Sequence, residues 1–229
     1  MAWAEPEPWL PAAMTLLDAR RQDRVLACGV GIAGSRQLAA AVGRDGQLVA
    51  VTAQAGTGHA LAALDVPHVR VLVHQLAGDE RFGTFDAMLV APATGPLLPP
   101  GTYADLARSN LRPGGRLVVD VPGPCLVPDL DDACRELGLP AARVAALHGA
   151  DDVTIADALR HAGLRNVHAT FGSHLVPGVV AGELVEAFAE VLQLTDAEQR
   201  DLAHALVRRH RGADAFDVML HRARMTALR

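Results

Sequence analysis

The chain has 229 residues, half of them apolar and only 3% aromatic, with a formal charge of −5 at pH 7. That length suits one α/β domain with a core of Ala, Val and Leu, and the acid excess argues against a nucleic-acid partner, because phosphate binding needs a basic field. All 21 basic residues are Arg, and the absence of Lys excludes Schiff-base chemistry and a Walker lysine.

The N-terminus, MAWAEPEPWLPAAM, is acidic and broken by Pro, unlike a signal peptide, and residues 1–22 read as a lead-in with a helix around Leu10–Ala19. Arg24–Cys28 is a buried strand, Ser35–Val42 a helix closed by the turn GRDG at 43–46, and Gln47–Val51 a second strand. Ala55–Leu64 reads as helix, Val69–Val73 and Asp86–Val90 as strands three and four, and Thr102–Asn110 as helix. The turn RPGG at 112–115 leads into strand five, Arg116–Val121. Strands that alternate with helices and read as near-continuous apolar runs predict a mostly parallel sheet covered on both faces.

The regular pattern then pauses. PGPCLVP exits strand five, and 129–150 reads as loop and short helix. Val153–His161 is helical, with Gly163 as C-cap, and Arg165–Phe171 is strand six. Residues 172–182 read as irregular. Glu183–Leu192 carries a helical apolar period, Thr195 and Glu198 form a capping box for a helix to about Arg209, and Phe216–Arg224 is the last strand. No linker divides the chain, so one domain spans 1–229. No apolar run reaches the ~18 residues of a membrane span, so no membrane partner is expected. Cys28, Cys125 and Cys134 are odd in number and lack metal-ligand spacing, so they read as reduced thiols of a cytoplasmic protein without a metal site.

Gly29-Val-Gly-Ile-Ala-Gly34 satisfies G-x-G-x-x-G directly after the first strand. Glycines let backbone approach a ligand, and the following helix points its amides at it. Two cofactor classes use such a turn: dinucleotides, and S-adenosylmethionine (SAM). RVLACGVGIAGS resembles the first motif of class I SAM-dependent methyltransferases. VGRDGQLVAV is similar to that family's link into strand two, FDAMLVAPATGPL to its fourth-strand motif, and LARSNLRPGGRLVVDVPG to its approach to strand five. ADALRHAGLRNVHATFG resembles its late helix and sixth strand. The five blocks stand in family order and span roughly residues 9–224.

The resemblance implies a single doubly wound, mostly parallel seven-stranded sheet with the last strand antiparallel. It implies SAM as cofactor, contacted by Ala27, Gly29, Gly31, Gly34, Thr52, Ala53, Gln75, Leu76 and Ala91. The family pattern is also broken. Its strand-one acid falls on Ala27, its ribose-gripping carboxylate on Thr52, and its adenine-facing aspartate on Gln75. A hydrogen bond to a charged group is worth roughly 1.5–3 kcal/mol. Losing two such anchors costs on the order of 3–5 kcal/mol, or roughly two to four decades of affinity, unless backbone amides at 31–35, or Asp79 and Glu80, compensate.

Ligands of such sheets sit beyond the carboxyl ends of the strands. The segments expected to form the substrate side are 1–22, 122–150 and 172–210. His148 and His174 lie in two of them and are the candidate catalytic bases for a phenol or enol hydroxyl. Asp151 and Asp152 read as helix N-terminal acids, and Trp3 and Trp9 as packing residues of the N-terminal helix. The expected function is a methyltransferase acting on a small molecule, in secondary metabolism. The alternatives are a methyltransferase-fold subunit that binds a ligand or stabilises a partner without methylating, and a cyclase or isomerase on the same scaffold. A homo-dimer or a partner protein is compatible with either.

Overall fold

The computed structural model describes residues 9–92, 98–149 and 152–229. Trp3, Asp151 and most of the stretch after strand four lie outside them. The strands are β1 (Arg24–Cys28), β2 (Gln47–Thr52), β3 (Val69–Val73), β4 (Phe85–Val90), β5 (Leu111–Pro122), β6 (Arg165–Val180) and β7 (Ala215–Leu228). They form one sheet of order β3-β2-β1-β4-β5-β7-β6. Neighbours from β3 through β5 pair parallel, and β7 runs antiparallel to both β5 and β6. Sequence and structure agree on this architecture.

Helices α1 (Leu10–Leu17), α2 (Ile32–Val42), α3 (Ala55–Ala62), α4 (Pro100–Asn110), α5 (Pro128–Glu136), α6 (Ala141–Val144), α7 (Asp152–His161), α8 (Ala181–Ala189) and α9 (Asp196–Arg209) cover the sheet. The inner strands β1, β2, β4 and β5 are buried on both sides, whereas the edge strands β3 and β6 are largely exposed, and two apolar cores form. One joins Leu17, Leu38, Leu130, Phe188 and Leu206 to the β1, β4 and β7 side chains of one face. The other joins Tyr103, Leu106, Ile155 and Leu159 to the opposite face. No helix among the described residues is long and apolar enough to cross a membrane.

Two expectations need correction. The RPGG turn does not precede strand five but lies inside β5. Leu111 pairs with Phe85 and Arg116 with Ala87, and the residues between loop out around Gly114 at φ +78°. Residues 172–180 are not irregular: they continue β6, paired with β7 as far as Val180. Pro177 and Gly178 suggested a break, but they sit in a register shift between Val176 and Val179, with Gly178 at φ +65° and its N–H on Asp217 Oδ1 at 3.1 Å. A bulge admits a residue without a ladder N–H and one with positive φ.

That extension shapes the carboxyl edge of the sheet. The last β5–β7 pair is Pro122 with Arg222, yet β7 continues outward from Arg222 to Ala215 against β6. Seven residues at about 3.4 Å each make an overhanging ribbon roughly 24 Å long. Helices α8 and α9 join its strands and pack with α5 against Val218 and Leu220.

Candidate functional site

The glycine turn stands at the carboxyl end of β1, between the ends of β2 and β4. Gly29 has φ +73°, its N–H donates to the Val51 carbonyl at 2.9 Å, and Ala91 N–H donates to the Cys28 carbonyl at 2.9 Å. A Cβ on Gly29 would stand 3.0 Å from Pro92, so glycine is required both by conformation and by the approach of the β4 exit. Gly31 is extended and N-caps α2, which presents the first-turn amides of Ile32 to Gly34 toward the edge. Ser35, one residue on, is buried, and its hydroxyl has no hydrogen-bond partner among the described residues.

Thr52 ends β2, buried; its Oγ1 accepts from Gln54 N–H at 3.2 Å and retains its own proton to donate. Ala53 and Gln75 are exposed, Leu76 is half-buried, and Ala27 and Ala91 are buried in the walls. Glu80, a possible replacement anchor, is held within its own loop. It accepts from the Ala77 and Gly78 amides, the latter at 2.8 Å, and stands 3.2 Å from His74 Nε2. Burial pushes its carboxyl up, but those amides outweigh burial and hold it below its ordinary value. The backbone of the turn leaves room that SAM would fit, while Thr52 and Gln75, the positions that the sequence resemblance assigns to ribose and adenine, are uncharged.

Beside the turn lies a charged cluster that sequence reasoning missed. Asp120 of β5 and Arg222 of β7 are fully buried, and Arg224 nearly so. Arg222 Nε donates to Asp120 Oδ1 at 2.8 Å and Arg224 Nε to Asp120 Oδ2 at 2.6 Å. Arg222 also donates to the Pro92 carbonyl at 2.9 Å, and its guanidinium lies 4.7 Å from the Trp9 ring centroid. Arg224 reaches the Trp9 carbonyl at 3.4 Å. The cluster thus ties the β4 exit to the N-terminal helix. Tyr103 of α4 is close enough to feel Arg222, although burial dominates and pushes its phenol up to about 12. The sequence held a signal: one Asp in the apolar run LVVDVP, and two Arg at period two in LHRARM.

His174 projects from β6 toward this cluster. Its Nε2 is buried, without a hydrogen-bond partner among the described residues. Burial and then the Arg224 charge hold its pKa below the ordinary imidazole value, against the pull of Asp120. His148, by contrast, follows a 3₁₀ turn at Ala145–Leu147, and its Nε2 stands 2.9 Å from Asp131 Oδ1. Asp131 also pairs with Arg135 at 2.9 Å. Burial pushes the nearby Cys125 thiol up to about 11, with the Asp131 charge adding to the effect. A hollow of about 350 Å³ runs along α2 to the entry of β3, lined by Ser35, Ala39, Leu64 and Val66.

No protein-family profile matches the chain. No curated protein matches it. Solved structures do. The YcgJ protein of Bacillus subtilis superposes with a TM-score of 0.64 at 13% identity, covering 96% of this chain and 97% of that one. A candidate methyltransferase of Bacillus halodurans, BH2331, gives 0.58 at 14% identity over 96% and 97%. A candidate methyltransferase of Haloferax volcanii, in complex with the methyltransferase activator Trm112, gives 0.59 at 17% identity over 98% and 91%. The chain has the class I SAM-dependent methyltransferase fold.

Proposed function

We propose that the protein is a cytoplasmic SAM-dependent methyltransferase that methylates a hydroxyl oxygen of a small molecule, in secondary metabolism. The observation that carries this reading is His174: a neutral imidazole whose inward nitrogen is unclaimed, connected through the arginine cluster and Pro92 to the glycine turn. Bound SAM supplies an electrophilic methyl group. Gly29, Gly31 and Gly34 make room for it, Thr52 and Gln75 offer neutral hydrogen bonds, and Ala27, Ala53, Leu76 and Ala91 line its surroundings. His174 accepts the hydroxyl proton, and the adjacent Arg224 favours its return to solvent. Positioning contributes most of the rate. The overhanging ribbon with α5, α8 and α9 stands at the carboxyl edge, which favours a small acceptor over a polymer.

A second reading is favoured by the missing carboxylates at the ends of β1 and β2: a methyltransferase-fold subunit that binds a second copy or a partner protein without transferring methyl. The Haloferax volcanii neighbour's complex with an activator keeps a protein partner in view under either reading. The discriminating experiment incubates the protein with methyl-labelled SAM and the fractionated contents of its own cells. Label in the small-molecule fraction, lost in His174→Asn, supports the first reading. Label in protein or nucleic acid overturns the small-molecule acceptor, and no transfer to any fraction supports the second.

A further inference from the structure

We propose that Cys125, Asp131 and His148 form a binding site for a zinc-type divalent cation. The site is distinct from the cofactor turn and independent of the methyltransferase reading. The three residues come from separate segments: the exit of β5, the first turn of α5, and the residue after the 3₁₀ turn. One donor atom of each lies within 4.8 Å of the other two, and His148 Nε2 and Asp131 Oδ1 are 2.9 Å apart. Ligands at about 2.0–2.3 Å from a tetrahedral zinc stand roughly 3.3–3.7 Å from one another. The donors therefore need shifts of about an ångström to surround an ion.

Their chemistry suits a borderline-soft metal. Thiolate, imidazole and carboxylate are all zinc ligands, and the two anionic groups balance a double positive charge. The backbone holds the site in place. Leu126 N–H donates to the Leu147 carbonyl at 2.9 Å, and Gly149 N–H to the Gly123 carbonyl at 2.7 Å, so the Cys125 and His148 segments are stitched together on both sides of the donors. Gly149 crosses β5 so closely that a Cβ would meet the Pro122 carbonyl oxygen at 1.8 Å. Arg135 engages Asp131 Oδ2 and leaves Oδ1 directed at His148, the outer-sphere arrangement that orients a ligating carboxylate. A helix-terminal acid with an i,i+4 arginine explains Asp131 alone; it does not explain a thiol and an imidazole meeting the same carboxylate. Three protein donors leave a fourth position for water or a further ligand, as in open zinc sites. The cysteine spacing held no sign of this, because only one of the three cysteines takes part.

The test is titration of the chelator-treated full-length protein with cobalt(II), a spectroscopic stand-in for zinc. The expected result is one equivalent bound, with thiolate-to-cobalt charge-transfer absorption and the intense visible bands of a four-coordinate ion, displaced by zinc. Cys125→Ser abolishes the charge-transfer band, and His148→Ala weakens binding at least about tenfold. Zinc raises the melting temperature of the parent but not of His148→Ala. This second measurement stands on its own if Cys125→Ser folds poorly. A parent without cobalt–thiolate absorption, or a band that persists in a folded Cys125→Ser variant, overturns the proposal.

Discussion

In the proposed reaction His174 would serve as a base only while its ring is neutral, and burial together with the Arg224 charge holds its pKa below the ordinary imidazole value. The charged groups facing it are Arg222 and Arg224 from β7 and Asp120 from β5. Its folded pKa lies below the unfolded one. Between those two values the unfolded chain binds more protons, so stability contributed here falls as pH drops through that window. The His174 ring followed by NMR should titrate below 6.5, the ordinary imidazole value, and methyl transfer should fall off as pH drops through that titration; titration above 6.5 would place the ring outside the cluster. Asp120 is the counterpart test. Two arginines share its carboxylate in a site closed to water, and breaking a buried ion pair by removing one partner costs about 3–5 kcal/mol. Asp120→Asn should lower unfolding free energy in denaturant by about that amount. A loss under about 1 kcal/mol would mean that water reaches the arginines, since buried pairs lose far more.

The elements were legible where local chemistry decides them. The capping box at Thr195 is present as read from TDAE, with Thr195 Oγ1 accepting from Glu198 N–H at 3.3 Å and Glu198 Oε2 accepting from Thr195 N–H at 2.8 Å. Glu198 is also bonded by Arg143, and that pair, with the Thr195 bonds, holds its carboxyl at about 2. This stabilisation is full above the ordinary value of 4.5 and is lost as pH falls toward 2. Glu198→Gln should therefore be less stable than the parent at neutral pH, with the gap in thermal melting closing across that acid window. The glycine turn was equally legible. Gly29→Ala must place a side chain at φ +73° against Pro92, which costs at least about 1 kcal/mol and should weaken SAM binding together with stability. What the sequence hid was long-range. Pro177 and Gly178 read as a break because the antiparallel partner that tolerates them, β7, lies some forty residues on. Arg222 and Arg224 fell within the last strand, Phe216–Arg224, and nothing local places them beside Asp120. Asp131 gave no sign that it meets Cys125 and His148.

At the scale of the whole molecule, the fold has a methyltransferase's order of strands, while the positions that the sequence resemblance assigns to charged cofactor anchors hold the uncharged residues Ala27, Thr52 and Gln75. The sheet, the turn at the end of β1 and the antiparallel β7 follow from strand patterning, which survives substitution because apolar residues replace one another freely. The positions in question are single side chains: Thr52 ends β2, while Ala27 lies within β1 and packs in the core. Under the proposed function, a working cofactor site of reduced affinity is therefore expected. Calorimetric titration of the parent and of Thr52→Asp with SAM tests this most directly. The predicted result is binding on the order of 0.1–1 mM by the parent, tightened about tenfold or more when a charge-assisted ribose bond is restored. Absence of any SAM binding at millimolar concentration, or an affinity that Thr52→Asp leaves unchanged, would contradict it.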